Sequence, residues 1–162
     1  MQHIKQQHMV YRPFIVLLVA TSSLFSQTTY KPTRAVLPAS VAFVSGMSNG
    51  LNQTLQHHYN SFERRFPNSD PNFWNPDVSW RNKYAGGLPE NGERFPGSKT
   101  VFVFTTDAFH LTNTIHRTAL FSAGCLVTIG EKRPWWHYAL DIGITYTAHT
   151  AGFHLVYSVA FK

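Results

Sequence analysis

Residues 135–161 read Trp135-Trp-His137-Tyr-Ala-Leu-Asp141-Ile-Gly-Ile-Thr145-Tyr-Thr-Ala-His149-Thr-Ala-Gly152-Phe-His-Leu-Val-Tyr-Ser-Val-Ala-Phe161, and whether this stretch is helix or strand decides the fold. At about 100° per residue, His137, Asp141, Thr145, His149 and Gly152 fall within roughly one third of a helix circumference, and the rest of the surface is mostly apolar. A helix of this length crosses a ~30 Å hydrocarbon core at about 1.5 Å per residue. The end of the stretch admits a second reading. Phe153, Leu155, Tyr157, Val159 and Phe161 alternate with His154, Val156, Ser158, Ala160 and Lys162, the period of a barrel strand. An outer-membrane barrel needs about eight such segments or more, and only this one alternates over a strand's length. The helical reading therefore governs, with a small β-barrel as the alternative.

Working outward, Glu131-Lys-Arg-Pro134 is a short turn, and residues 99–129 form a second apolar stretch interrupted by Asp107, His110, His116 and Arg117. On a helix Asp107, His110, Asn113, Thr114 and Arg117 share about one third of the circumference. Residues 36–62 read as a third helix. Its polar Ser45, Asn49, Asn52, Gln56 and Asn60 recur at three- and four-residue spacing, and Gly46 and Gly50 stand four apart, which lets helices approach closely. Between these helices, residues 63–98 are punctuated by Pro, Gly and Asn too often for a long element, and their spaced rings suggest an ordered loop lying on an apolar surface. At the N-terminus, Lys5 and Arg12 precede the apolar run Pro13-Phe-Ile-Val-Leu-Leu-Val-Ala20 and then small residues, the three-part pattern of a signal peptide or signal anchor over 1–26.

The expected fold class is thus mainly α: a helical membrane protein with about three core transmembrane helices over 36–62, 99–129 and 135–161, joined by the 63–98 loop in one membrane domain spanning 27–162. Composition agrees. The 162 residues are 43% hydrophobic and 15% aromatic but only 14% charged, below the roughly 25% of soluble domains. One cysteine excludes a disulfide framework and a multi-Cys zinc site. A net charge of +6 would suit nucleic acid, anionic lipid or solubility alike. Its distribution reads as orientation and membrane-surface contact, with no sign of a nucleic-acid groove. The loop and its ends carry Arg64, Arg65, Arg81, Lys83, Arg94 and Lys99, against Lys132 and Arg133 in the short turn. The positive-inside rule then puts the loop in the cytoplasm. Inner membrane is the expected location, or outer membrane after signal cleavage.

The strings Phe73-Trp74-Asn75-Pro76, Ser79-Trp80-Arg81-Asn82-Lys83-Tyr84 and Phe104-Thr-Thr-Asp107-Ala-Phe-His110, with Gly46-Met-Ser-Asn-Gly50 and His58-Tyr-Asn-Ser-Phe62, resemble an uncharacterised family of small helical membrane proteins from Bacteroidota. The resemblance covers roughly residues 43–110. It implies helices in a membrane and carries no established activity. In that pattern an acidic residue is common at the position of Asn49, so this chain lacks a carboxylate there.

Chemistry is sought among Asp107, His110, Asp141 and His149. The first two are spaced i, i+3, and two carboxylates with two imidazoles on packed helices could hold a divalent metal and activate water. A membrane-embedded metal-dependent hydrolase acting on a lipid-like substrate follows as the alternative function. No HExxH, HxxxH, GxSxG, GxGxxG or phosphate-loop motif is present. Hydrogen bonding and ion pairing between helices is the favoured role of these groups, and a small, non-catalytic integral membrane protein the favoured function. His116 and His154 read as lying off the polar stripes. In the loop, Trp74, Trp80, Arg81, Lys83 and Tyr84 are candidates for capping the bundle or meeting a lipid headgroup or partner. Membrane lipid is the expected contact, with a second copy or another membrane protein as the protein partner.

Overall fold

The three apolar stretches of the sequence become three long helices in the computed structural model, which describes residues 29–161. The expected signal segment, 1–26, lies outside the described residues. From Pro32 the chain forms one compact unit. Helix α1 runs Thr33–His57, α2 Tyr59–Arg65, α3 Pro71–Trp74, α4 Pro76–Ser79, α5 Ala108–Thr128 and α6 Trp135–His154. The described residues contain no strand, only an isolated antiparallel bridge of Tyr84 with Glu93. The mainly helical class holds. The alternating residues at the C-terminus do not form a strand: they continue α6 as a π-helical turn over Leu155–Ala160.

Two expected boundaries move. The first helix breaks at His58, whose φ of −139° ends α1. There the His58 ring lies 2.9 Å (Nε2) from the Tyr157 hydroxyl. The bend turns Tyr59 and Phe62 toward the loop, where the buried Phe62 ring stacks on Trp74 at 5.0 Å between centroids. The second long helix starts at Ala108, well after residue 99. Asp107 is extended (φ −160°, ψ 161°) and its side chain accepts from the His110 N–H, making it an N-cap. Residues 97–106 ahead of it are tight turns, with Phe102 N–H donating to Gly97 O at 2.9 Å.

Helix α1 lies in the middle and packs on both α5 and α6, which touch each other little. It runs antiparallel to α5, since Ser45 meets His116 while Asn52 meets Phe109. It runs parallel to α6 at a crossing made of glycine. A Cβ on Gly46 would strike the His149 carbonyl, one on Gly152 the Phe43 carbonyl, and one on Gly50 would lie 2.7 Å from Phe153 O. The Gly46/Gly50 pair therefore does what its spacing suggests, and Gly152 answers it from the facing helix.

Averaged along its length, no helix among the described residues is both long and apolar enough to cross a membrane. The placement of polar and apolar side chains departs sharply from that average. Ser45, Asn52, Thr54, Asp107, Thr112, His137, Asp141 and Thr145 are buried, together with alanines and glycines. Large apolar side chains stand outside, among them Phe121 (75% exposed), Ile129 (70%), Ile142 (58%) and Val36 (62%).

Candidate functional site

The buried polar groups form three levels along the bundle. At the loop end, Asp107 is 1% exposed. Its carboxylate accepts from the His110 backbone N–H at 2.8 Å and the Thr106 hydroxyl at 3.0 Å, and faces His110 Nδ1 at 2.8 and 2.9 Å. Burial pushes this carboxyl up. The side-chain and backbone hydrogen bonds from His110, the attraction of its imidazole and the Thr106 bond together outweigh burial and hold it below the ordinary aspartate value. Asn82, from the Ser-Trp-Arg-Asn-Lys-Tyr string, ties the loop to this cap by donating to Asn72 O (2.6 Å) and Thr106 O (3.0 Å).

In the middle level, Asn52 donates to Phe109 O (2.7 Å) and Thr112 Oγ1 (3.0 Å), and Ser48 to Thr112 O (2.8 Å). The Ser45 hydroxyl donates to His116 O at 2.8 Å, which leaves its oxygen to accept from His116 Nδ1 at 3.0 Å. The His116 ring lies 5.5 Å from that of His149. His116 is thus an interhelical group, not one pointing off the polar stripes, because it follows the buried Thr112 by four residues and so shares its face toward α1. Exposed His154, beside Ser158 at 3.0 Å, lies outside as expected. Thr145 Oγ1 and His149 Nε2 are buried without a hydrogen-bond partner.

In the level farthest from the loop, Arg133 Nη1 meets Asp141 Oδ2 at 2.6 Å, with side chains 8% and 1% exposed. The same guanidinium lies 4.3 Å from the Tyr138 ring and donates to Val127 O. The four metal candidates are therefore not brought together. Asp107 pairs with His110, Asp141 with Arg133, and His149 neighbours His116. Asp141 and His149 alone are roughly 12 Å apart along α6 at about 1.5 Å per residue. Among the described residues no three His, Cys, Asp or Glu side chains gather as a metal site. His110 is oriented by Asp107 in the manner of a general base, yet no serine or cysteine side chain among the described residues bonds to it.

The stripe expected on α6, His137, Asp141, Thr145, His149 and Gly152, is the inward face. The one expected on α5 is not. Asp107 and His110 face the cap, whereas Thr114 and Arg117 are exposed, Arg117 Nε donating to Asn113 Oδ1 at 3.1 Å. The α5 residues facing inward are Ala108, Thr112, Ala123 and Val127.

Of the loop candidates, Trp74 packs on the bundle through Phe62, as a cap would. The others stack on one another at the surface. Trp80 meets Tyr84 edge-on at 6.0 Å, Arg81 lies 5.5 Å from the Trp80 ring, and Lys83 and Lys99 flank Tyr84 at 5.6 and 5.7 Å. Sequence reasoning missed Arg133, which it counted only as a cation of the short 131–134 turn. The available signal was a carboxylate on the inward stripe of α6, which demands a cation within reach. Comparison with known proteins gives no match to a family model, a curated protein or a solved structure.

Proposed function

We propose that this protein is a small integral membrane protein without catalysis of its own, a three-helix bundle held together by polar groups in its interior. The carrying observation is the inversion of the bundle: hydroxyl, amide, imidazole and carboxylate groups inside, large apolar side chains outside. In water that arrangement forfeits the apolar burial that stabilises a fold. In hydrocarbon, small residues let backbones approach and buried hydrogen bonds replace hydrophobic packing as the adhesive. The low helix-averaged hydropathy comes in part from inward groups such as Asn52, His137 and Asp141 and in part from exposed ones such as Arg34, Gln56 and Arg117. The loop with Trp80, Arg81, Lys83 and Tyr84 suits the headgroup region, where amphipathic rings and cations concentrate. The resemblance of the loop strings to small membrane proteins of Bacteroidota points the same way. On α5 the exposed Arg117, bonded to Asn113, puts a charge on the outer face, and a second copy or another membrane protein has most to gain by covering it.

Alkaline carbonate extraction of membranes from cells expressing the full chain tests this reading. The protein is expected to stay in the membrane pellet and to need detergent for release. Recovery in the carbonate supernatant would overturn it.

A further inference from the structure

Along one side of α1 the outward Val44, Met47 and Leu51, spaced three and four residues apart, form the floor of a groove of about 900 Å³. Trp74 and Phe66 close it at the loop end, and Arg65 stands at its rim. This volume falls within the range of small-molecule sites. Its wall is apolar except at one end. The Ser48 hydroxyl is committed to Thr112 O at 2.8 Å, so the floor offers no free donor. Among the described residues Arg65 is the only ionisable one lining the groove. It enters no ion pair among the described residues, and its neighbour Arg64 is turned to Ser61 Oγ at 2.9 Å.

An apolar groove lined by one unpaired guanidinium is complementary to an amphiphile with one negative head. We propose that the groove holds an acyl chain of an anionic phospholipid, with the lipid phosphate against Arg65. A guanidinium matches phosphate through paired N–H donors. Val44 on the floor is half exposed, so the groove is open to its surroundings there. This deepens the membrane reading and rests on it for the source of the lipid.

The test offers the purified full-length protein, in nonionic detergent, the short-chain lipids dioctanoyl phosphatidylglycerol and dioctanoyl phosphatidylcholine, with binding read by native mass spectrometry. The wild type is expected to bind the glycerol lipid roughly tenfold more tightly, the scale of one charge-assisted contact. Arg65→Gln should abolish that preference, Met47→Trp should weaken both lipids by filling the groove, and Arg94→Gln, elsewhere in the loop, should change neither. Equal binding of the two lipids by the wild type overturns the proposal, as does a preference surviving Arg65→Gln or lost equally in Arg94→Gln. Octanoate competing as well as the phospholipid overturns the phosphate assignment. Embedding and groove fail separately. Release by carbonate with the Arg65-dependent preference intact sinks only the embedding, and membrane retention without that preference sinks only the groove.

Discussion

At Asp107 a helix cap and a contact with the His110 imidazole share one carboxylate, and two substitutions separate them. Asn caps a helix as well as Asp does, so Asp107→Asn keeps the bond from the His110 N–H and loses the charge that holds the imidazole and the Thr106 hydroxyl. Asp107→Ala loses everything. Charge-assisted bonds of this kind are worth about 1.5–3 kcal/mol, and the cap about 1 kcal/mol more. The carboxyl is held below its ordinary value in the folded protein, so the folded state binds fewer protons than the unfolded one. Its contribution is therefore fully present above the ordinary aspartate value near about 4 and is lost as pH falls through the lower folded value. Thermal unfolding in detergent should show the wild type losing stability below about pH 4, with Asp107→Asn already less stable at neutral pH and flatter across that acidic window. A slope equal to that of the wild type would remove the charge from this account.

Among the elements, the α1–α6 crossing depends on backbone meeting backbone, and the glycines report this with opposite signs. At Gly46 and Gly152 an added methyl meets a carbonyl of the facing helix, whereas at Gly124 and Gly143 it meets nothing within 4 Å. Gly46→Ala and Gly152→Ala should each lower the melting temperature sharply by prising the helices apart. Gly124→Ala and Gly143→Ala should raise stability by about 0.5–1 kcal/mol each, the ordinary gain of alanine over glycine within a helix. If all four behaved alike, close approach would not be what joins these helices. Only one side of this crossing was legible in the sequence: Gly46 and Gly50 mark a face open to close approach, but nothing in their spacing names α6 as the partner. The inward stripe of α6 was legible because its polar residues keep helical phase from His137 to His149. The α5 stripe misled because Asp107, the residue that anchored its phase, is a cap lying before the helix. The inward face of α5 carries small and apolar residues, Ala108, Thr112, Ala123 and Val127, with His116 among them, and its alanines and valine look to periodicity like an outer wall. The metal constellation failed for a related reason: phase around a helix says nothing about height along it, and height separates Asp107, Asp141 and His149.

For the whole molecule, the pairing of Arg133 sharpens the orientation argument. Counted from sequence, the short turn sets Lys132 and Arg133 against six cations around the loop. With Arg133 buried against Asp141, and Arg34 beside Glu131 at 3.6 Å, the free positive charge at that end shrinks to little beyond Lys132 and Lys31. At the loop end Arg65, Arg81, Lys83, Arg94 and Lys99 enter no ion pair among the described residues. With Lys31 and Arg34 counted at the turn end, four cations face six around the loop, and pairing leaves two of the four free; on the proposed membrane reading the positive-inside rule predicts a cytoplasmic loop. Cysteine labelling reads this directly. The free thiol Cys125 is replaced by serine, and Glu90→Cys in the loop and Lys132→Cys in the turn are made singly. Both sites are exposed. A membrane-impermeant maleimide added to intact cells stripped of their outer barrier should label the turn thiol, and the loop thiol only after the membrane is opened. Labelling of the loop site in sealed cells would reverse the orientation, and equal labelling of both would mean that the two ends of the bundle are not separated by a membrane.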